Sequence, residues 1–101
     1  MPESLIILSV VLEAAPGREQ ELGSLLSSLV EPTRAEAGCL SYELSASREK
    51  PGVFFFYEKF ADQNALDAHV NTPHFQDFLK RREGDDPIAN QRVMRWSALS
   101  N

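Results

Sequence analysis

Residues 53–60, with the sequence VFFFYEKF, restrict the possible folds of this chain more than any other segment. The turn dipeptide Pro51-Gly52 precedes them, and aromatic residues dominate them, which is typical of a β-strand. Successive side chains of a strand point to opposite faces of the sheet. Here both faces are apolar, with Val53, Phe55 and Tyr57 on one and Phe54, Phe56 and Phe60 on the other. The sheet must therefore be covered on both sides.

Three further strands are predicted from β-branched or alternating patterns, at residues 4–13, 39–47 and 88–99. A helix after the first strand is indicated by leucines at positions 22, 25, 26 and 29, and we expect it to be interrupted at Pro32 and to end at Gly38. A second helix begins after Asp62 as N-cap and breaks at Asn71. It restarts with Thr72 as N-cap and Pro73 at the first helical position.

The predicted order is β-α-β-β-α-β with a split second helix, which is the α+β ferredoxin-like arrangement in a single domain of residues 1–101. Its helices cover only one face of the sheet. Because residues 53–60 are apolar on both sides, we expect the other face to pack against a second copy of the chain in a two-fold homodimer.

The net charge of −5 and the pI near 4.9 provide no basic surface for nucleic acid or for an anionic membrane, so neither partner is expected. No apolar run approaches the ~20 residues that cross a bilayer. The residues before the first apolar run include Glu3 and no Lys or Arg, which argues against a signal peptide. The only cysteine, Cys39, fits a reducing compartment. We therefore expect a cytoplasmic protein.

Both histidines of the chain, His69 and His74, flank the predicted helix break. Histidine exchanges protons readily near neutral pH, so the pair marks a candidate site. His69 follows Leu66 by three positions and thus falls on the apolar side of its helix, where a structural and a catalytic role both remain open. His74 lies at the second helical position, where the helix dipole favours a neutral imidazole.

Glu58 shares a strand face with Phe54, Phe56 and Phe60. Burial in such an apolar layer raises the pKa of a carboxyl group and makes it a useful acid or base. The alternative is an ion pair at the end of the strand, for which Lys59 is available. Large aromatic residues such as Tyr42 and Trp96 mostly supply core or wall area.

We expect no metal site and no nucleotide cofactor. The two histidines are five positions apart across a helix break, so they do not share one helical face as helical histidine ligands usually do. The five glycines are scattered and form no phosphate-binding loop.

Three segments resemble the antibiotic biosynthesis monooxygenase domain family: EAGCLSYE at residues 36–43, FYEKF at 56–60, and ALDAH at 65–69 followed by Thr72-Pro-His74. The similarity covers nearly the whole chain and is greatest to small quinol monooxygenases. It implies a dimeric α/β-barrel and a pocket between sheet and helices. It also implies oxygenation of a small quinol or polyphenol by molecular oxygen without flavin, haem or metal.

The resemblance also implies roles for individual residues. His69 would be the general base, and Glu58 its orienting or proton-relaying partner. His74 would form a hydrogen bond to the substrate. Beside these family positions, we expect Phe56, Tyr42 and Trp96 to contribute to substrate binding as walls of the pocket. Two alternatives remain open: an isomerase acting by proton transfer on a phosphorylated dicarbonyl, and a non-catalytic dimeric module that binds a small ligand.

Overall fold

A computed structural model describes residues 4–100, so residues 1–3 and 101 of the predicted domain lie outside the described part. The described chain forms four strands, β1 (Ile6–Ala14), β2 (Cys39–Ala46), β3 (Val53–Phe60) and β4 (Ile88–Trp96). It also forms four helices, α1 (Glu19–Ser27), α2 (Val30–Arg34), α3 (Gln63–Val70) and α4 (Pro73–Arg81). The predicted ferredoxin-like α+β order is confirmed, with both helical connections divided in two. Within residues 4–100, no helix is long and apolar enough to span a bilayer.

The strands form one antiparallel sheet in the order β2-β3-β1-β4. In its register, Glu58 of β3 lies opposite Leu8 of β1 on one side and Tyr42 of β2 on the other. Directly paired residues point to the same face, so these three side chains form a row. The main core lies on that face, where sheet residues pack with helix residues that include Leu22, Leu26, Leu29 and Phe78.

The opposite face of the sheet keeps several large apolar side chains exposed. Val11 and Phe55 are paired across β1 and β3 and remain 38% and 40% exposed. Trp96, at the end of β4, is 51% exposed and pairs with Ile7 on the same face as Val11. The apolar character on both sides of β3 that the sequence predicts is therefore confirmed.

The first helical connection breaks before Pro32, so the predicted position of the interruption is wrong. The first helix ends at Ser27 and the next begins at Val30, which places Pro32 in its first turn. The backbone N–H groups of a first turn have no partner within the helix, so proline is tolerated there. The proline therefore lies near the start of α2 and does not interrupt a longer helix.

The second connection is capped as the sequence predicts. The side chain of Asp62 accepts a hydrogen bond from the N–H of Ala65 at 2.9 Å, and Thr72 Oγ1 accepts one from the N–H of Phe75 at 3.3 Å. The break leaves His69 in the last turn of α3 and His74 in the first turn of α4.

Gly38 allows the loop between α2 and β2 to lie directly against α3. A Cβ atom at Gly38 would stand 2.2 Å from the Cβ of Ala65, which no side chain could tolerate without movement of the backbone. The carbonyl of Gly38 also accepts a hydrogen bond from the N–H of Ala61 at 2.9 Å. This close contact carries the loop residue Glu36 towards His69.

Candidate active site

A cavity of about 170 Å³ lies between the sheet and the helices. Its polar lining consists of Tyr42, Glu58, His69 and Gln91. The remaining lining residues are apolar: Leu8, Val10, Leu12, Leu26, Leu29, Phe56, Leu66, Val70, Phe75, Phe78 and Val93. A buried apolar cavity of about 150 Å³ is known to hold benzene, so this one has the size of a single aromatic ring. A cavity with few polar groups among apolar walls is typical of a small-molecule site.

His69 is held rigidly at the wall of this cavity. Its side chain is almost fully buried, and the rings of Phe60 and Phe75 lie 5.1 and 4.8 Å from it, centroid to centroid. Its Nδ1 lies 2.9 and 3.2 Å from the two carboxylate oxygens of Glu36. An ionised carboxylate only accepts hydrogen bonds, so this contact places the imidazole proton on Nδ1. Nε2 then carries a lone pair, and no described residue donates to it.

Glu36 is the residue of the candidate site that the sequence analysis does not identify. We expected Glu58 to orient His69, whereas the structure gives that position to Glu36, which is 33 residues away along the chain. Its side chain is only 14% exposed. The sequence feature that could have identified Glu36 is its position at the start of the segment EAGCLSYE. Glu36 lies two residues before Gly38, the glycine that allows the loop to lie against α3.

His74 contacts the same carboxylate from the solvent side. Its Nε2 lies 2.6 Å from Glu36 Oε2, and its side chain is 21% exposed. His74 is not among the residues that line the cavity. The structure therefore places this predicted substrate-binding residue behind His69, where it supports Glu36.

Glu58 lies in the cavity wall and is 7% exposed. Burial, and secondly repulsion by Glu36, raise the pKa of the Glu58 carboxyl from its usual 4.5 to about 7. No described residue forms a hydrogen bond or an ion pair with this carboxyl, so the alternative of an ion pair with Lys59 is not found. Near neutral pH, Glu58 is therefore available both as a proton donor and as an acceptor.

Tyr42 and Phe56 line the cavity beside Glu58, in contact with each other at 4.7 Å between ring centroids. Burial, and secondly the charge of Glu58, raise the pKa of the Tyr42 hydroxyl above its usual range, so it remains a hydrogen-bond donor. Trp96 lies on the opposite face of the sheet, where its Nε1 donates to Ser9 Oγ at 2.8 Å. The structure thus brings together four of the six predicted site residues: His69, Glu58, Tyr42 and Phe56.

The same cluster has the composition of a metal site. One ligand atom each from Glu36, His69 and His74 lie within 4.8 Å of one another. Imidazole nitrogens and carboxylate oxygens are ligands of zinc and iron in proteins. The spacing argument against a shared site is therefore wrong, because the two imidazoles meet across the helix break and not on one helical face.

The family model for antibiotic biosynthesis monooxygenases matches residues 5–81 of the chain. A Bacillus subtilis protein named "Putative monooxygenase YcnE" is 32% identical over 76% of this chain and 81% of its own length. An uncharacterized Synechocystis protein is 30% identical over 75% of this chain, which spans only 52% of that relative. The crystal structure of PA3566 from Pseudomonas aeruginosa superposes with a TM-score of 0.89 at 35% identity, covering 96% of both chains.

Proposed function

The chain belongs to the antibiotic biosynthesis monooxygenase family, and we propose that it oxygenates a small quinol or polyphenol with molecular oxygen, without flavin, haem or metal. The observation that carries this proposal is the buried imidazole of His69, which lines a cavity the size of one ring and is held at Nδ1 by the carboxylate of Glu36. The naming of a Bacillus relative as a monooxygenase supports the reaction class.

Proton abstraction is the first step of the proposed reaction. Nε2 of His69 accepts a phenolic proton from the bound quinol, and the resulting imidazolium is stabilised by the carboxylate of Glu36 at Nδ1. The phenolate is far more electron-rich than the phenol. It can therefore transfer one electron directly to molecular oxygen, and the apolar walls keep water away from the radical pair.

The remaining steps balance without another reductant. The phenoxyl and superoxide radicals combine through a carbon–oxygen bond, and His69 returns its proton to the peroxide. The ring carbon that bears the peroxide then loses its hydrogen as a proton while the oxygen–oxygen bond breaks, which releases water and leaves a hydroxyquinone. One oxygen atom enters the ring and the other leaves as water. The four electrons that reduce molecular oxygen all come from the quinol. The two hydrogens of the water also come from the quinol.

Glu58 and Tyr42 are positioned to hold oxygen atoms of the substrate. Glu58 on β3 and Tyr42 on β2 lie directly opposite each other in the sheet, and both side chains point to the cavity face. The Glu58 carboxyl, whose pKa is raised to about 7, and the protonated Tyr42 hydroxyl supply hydrogen-bond donors in a wall that is mostly apolar. A dihydroxy-aromatic ring has two oxygens, one for His69 and one for these donors. This arrangement favours quinols over monophenols.

The alternative substrate, a phosphorylated dicarbonyl, matches the cavity poorly. Phosphate groups are usually bound by Arg, Lys or clustered backbone N–H groups. The described lining contains no Arg or Lys, and it includes the acidic Glu58. A phosphate in this cavity would lose its hydration without an opposite charge to replace it.

Incorporation of labelled oxygen tests the proposed reaction. With ¹⁸O₂ and a panel of single-ring hydroquinones and catechols, we expect mass spectrometry to find one labelled oxygen atom per product and the other in water. Omitting oxygen should stop turnover. Conversion of a phosphorylated dicarbonyl without oxygen would instead indicate the isomerase reaction. Binding of a quinol or a dicarbonyl without turnover would indicate a non-catalytic ligand-binding module.

We further propose that the exposed apolar face of the sheet packs against the same face of a second copy. Val11, Phe55 and Trp96 are the large exposed side chains of this face. An isologous two-fold contact would cover them with identical groups. Such a homodimer leaves the cavity, which lies on the helical side, in each protomer.

Sedimentation equilibrium at micromolar concentration should then give twice the 11.3 kDa mass of one chain. Phe55→Glu places a charge on the apolar face of each protomer at this interface and should shift the protein to monomer. Leu79→Glu, at a similarly exposed apolar position on α4, is the matched control and should remain dimeric. A monomeric wild-type protein, or a dimer unaffected by Phe55→Glu, would contradict this assembly.

A further inference from the structure

We propose that Glu36, His69 and His74 form a three-ligand binding site for a divalent transition-metal ion such as Zn²⁺ or Co²⁺. The ligand atoms are Nδ1 of His69, Nε2 of His74 and a carboxylate oxygen of Glu36. Two histidines and one carboxylate match the protein ligand sets of zinc sites that keep a fourth position open. The three ligands come from the α2–β2 loop and from both sides of the α3–α4 break.

The existing distances require only small movements to admit an ion. The nitrogens of His69 and His74 now lie 2.9 and 2.6 Å from Glu36 Oε2, as hydrogen-bond partners. Metal–ligand bonds of 2.0–2.2 Å in a tetrahedral site place neighbouring ligand atoms about 3.4 Å apart. These two nitrogen–oxygen pairs must therefore separate by less than about 1 Å. The two imidazole nitrogens, which lie within 4.8 Å of each other, must come to the same spacing. Side-chain rotation provides that movement, and the surrounding backbone can stay in place.

The three side chains are also held in place before an ion arrives. Their exposed fractions are 3% for His69, 14% for Glu36 and 21% for His74. The Thr72 side chain caps α4 just before His74, and Gly38 fixes the loop that carries Glu36. Ligands that are already ordered lose little conformational entropy on binding. The partly exposed edge formed by His74 and Glu36 gives an ion access from solvent.

Occupation of this site would change the state of His69. In the hydrogen-bonded cluster, Nδ1 holds the imidazole proton and Nε2 is free. A metal ion on Nδ1 displaces that proton to Nε2, so the nitrogen at the cavity can no longer accept one. Metal binding and proton abstraction are therefore mutually exclusive. This consequence, which makes the ion an inhibitor, rests on the proposed function, whereas the binding site itself does not.

Titration of the apo protein with Co²⁺ tests the site through visible absorption, which reports nitrogen and oxygen ligation in a site of low coordination number. We expect one ion per chain, with affinity at least about tenfold weaker in Glu36→Gln and in His74→Gln. Glu31→Gln, which changes an exposed acid in α2, should bind as wild type does. Cys39→Ser should also bind normally, because the proposed site uses no thiolate.

A second measurement on the wild-type protein guards against variants that fold poorly. The chain contains only two histidines, so imidazole ¹⁵N signals report directly on the site. Zn²⁺ should shift Nδ1 of His69 and Nε2 of His74 together. Absence of binding, a shift in only one histidine, or loss of Co²⁺ binding in Cys39→Ser would overturn the proposed site. Oxygen incorporation in the presence of a chelator tests the catalytic proposal separately.

Discussion

Replacing His69 with alanine is expected to lower kcat/KM for quinol oxygenation by about 10²–10⁴-fold, the usual contribution of a positioned general base. The imidazole lines the cavity, and its contact with the Glu36 carboxylate at Nδ1 leaves Nε2 as the proton acceptor of the proposed reaction. Oxygen consumption with a single-ring hydroquinone measures this loss. Raising the pH should partly restore the rate of the variant, because the free phenolate then forms in solution.

His69→Gln is the matched variant that separates proton transfer from packing. Its amide keeps a polar group near Glu36 and fills much of the space of the imidazole, but it cannot accept a proton near neutral pH. We expect a loss of the same order as in His69→Ala. Wild-type oxygen consumption in His69→Gln would mean that the imidazole only supports the cavity wall.

Glu58→Gln is expected to stabilise the folded protein by about 3 kcal/mol at pH 8 and to leave its stability nearly unchanged at pH 4. The pKa of the Glu58 carboxyl is about 7 in the fold, against a usual 4.5. At pH values between 4.5 and about 7, the Glu58 carboxyl is protonated in the folded state and ionised in the unfolded state. The free energy of unfolding therefore falls as the pH rises through this range. At 1.36 kcal/mol per pKa unit, the full loss is about 3 kcal/mol. The neutral amide of glutamine removes this loss.

Urea unfolding at several pH values between 4 and 8 measures the effect, and Glu31→Gln provides the control. Glu31 is an exposed acid on α2, away from both the cavity and the exposed face of the sheet. Its replacement should leave the pH dependence of the wild type in place. If Glu58→Gln and wild type lose stability in parallel above pH 5, the buried carboxyl is not the group that titrates.

The fold was predictable because its strongest determinants are local. The aromatic run of β3 indicated a strand covered on both faces, and Asp62 and Thr72 marked the helix starts that the structure confirms. Cap and strand patterns depend on residues within a few positions of each other. The break before Pro32 was not predicted, since proline is compatible both with interrupting a helix and with starting one.

The site was only partly predictable because its central contacts join distant segments. Spacing placed His69 on the buried side of α3 and Glu58 in an apolar layer, and both placements hold. The contacts of Glu36 with His69 and His74 span 33 and 38 residues and depend on how closely a glycine lets the loop approach α3. Helical spacing contains no information about such a contact. For the same reason it could not show that the two imidazoles converge.

Oxygen consumption by the metal-stripped wild-type protein, measured with a chelator and a single-ring hydroquinone, is the decisive test of the proposed reaction. In that reaction His69, held by Glu36 at an apolar cavity, abstracts a proton so that the substrate itself reduces oxygen. We predict turnover that persists in the chelator, yields a hydroxyquinone and decreases when Zn²⁺ is added in excess. Turnover that disappears on chelation and returns with an added metal ion would contradict it.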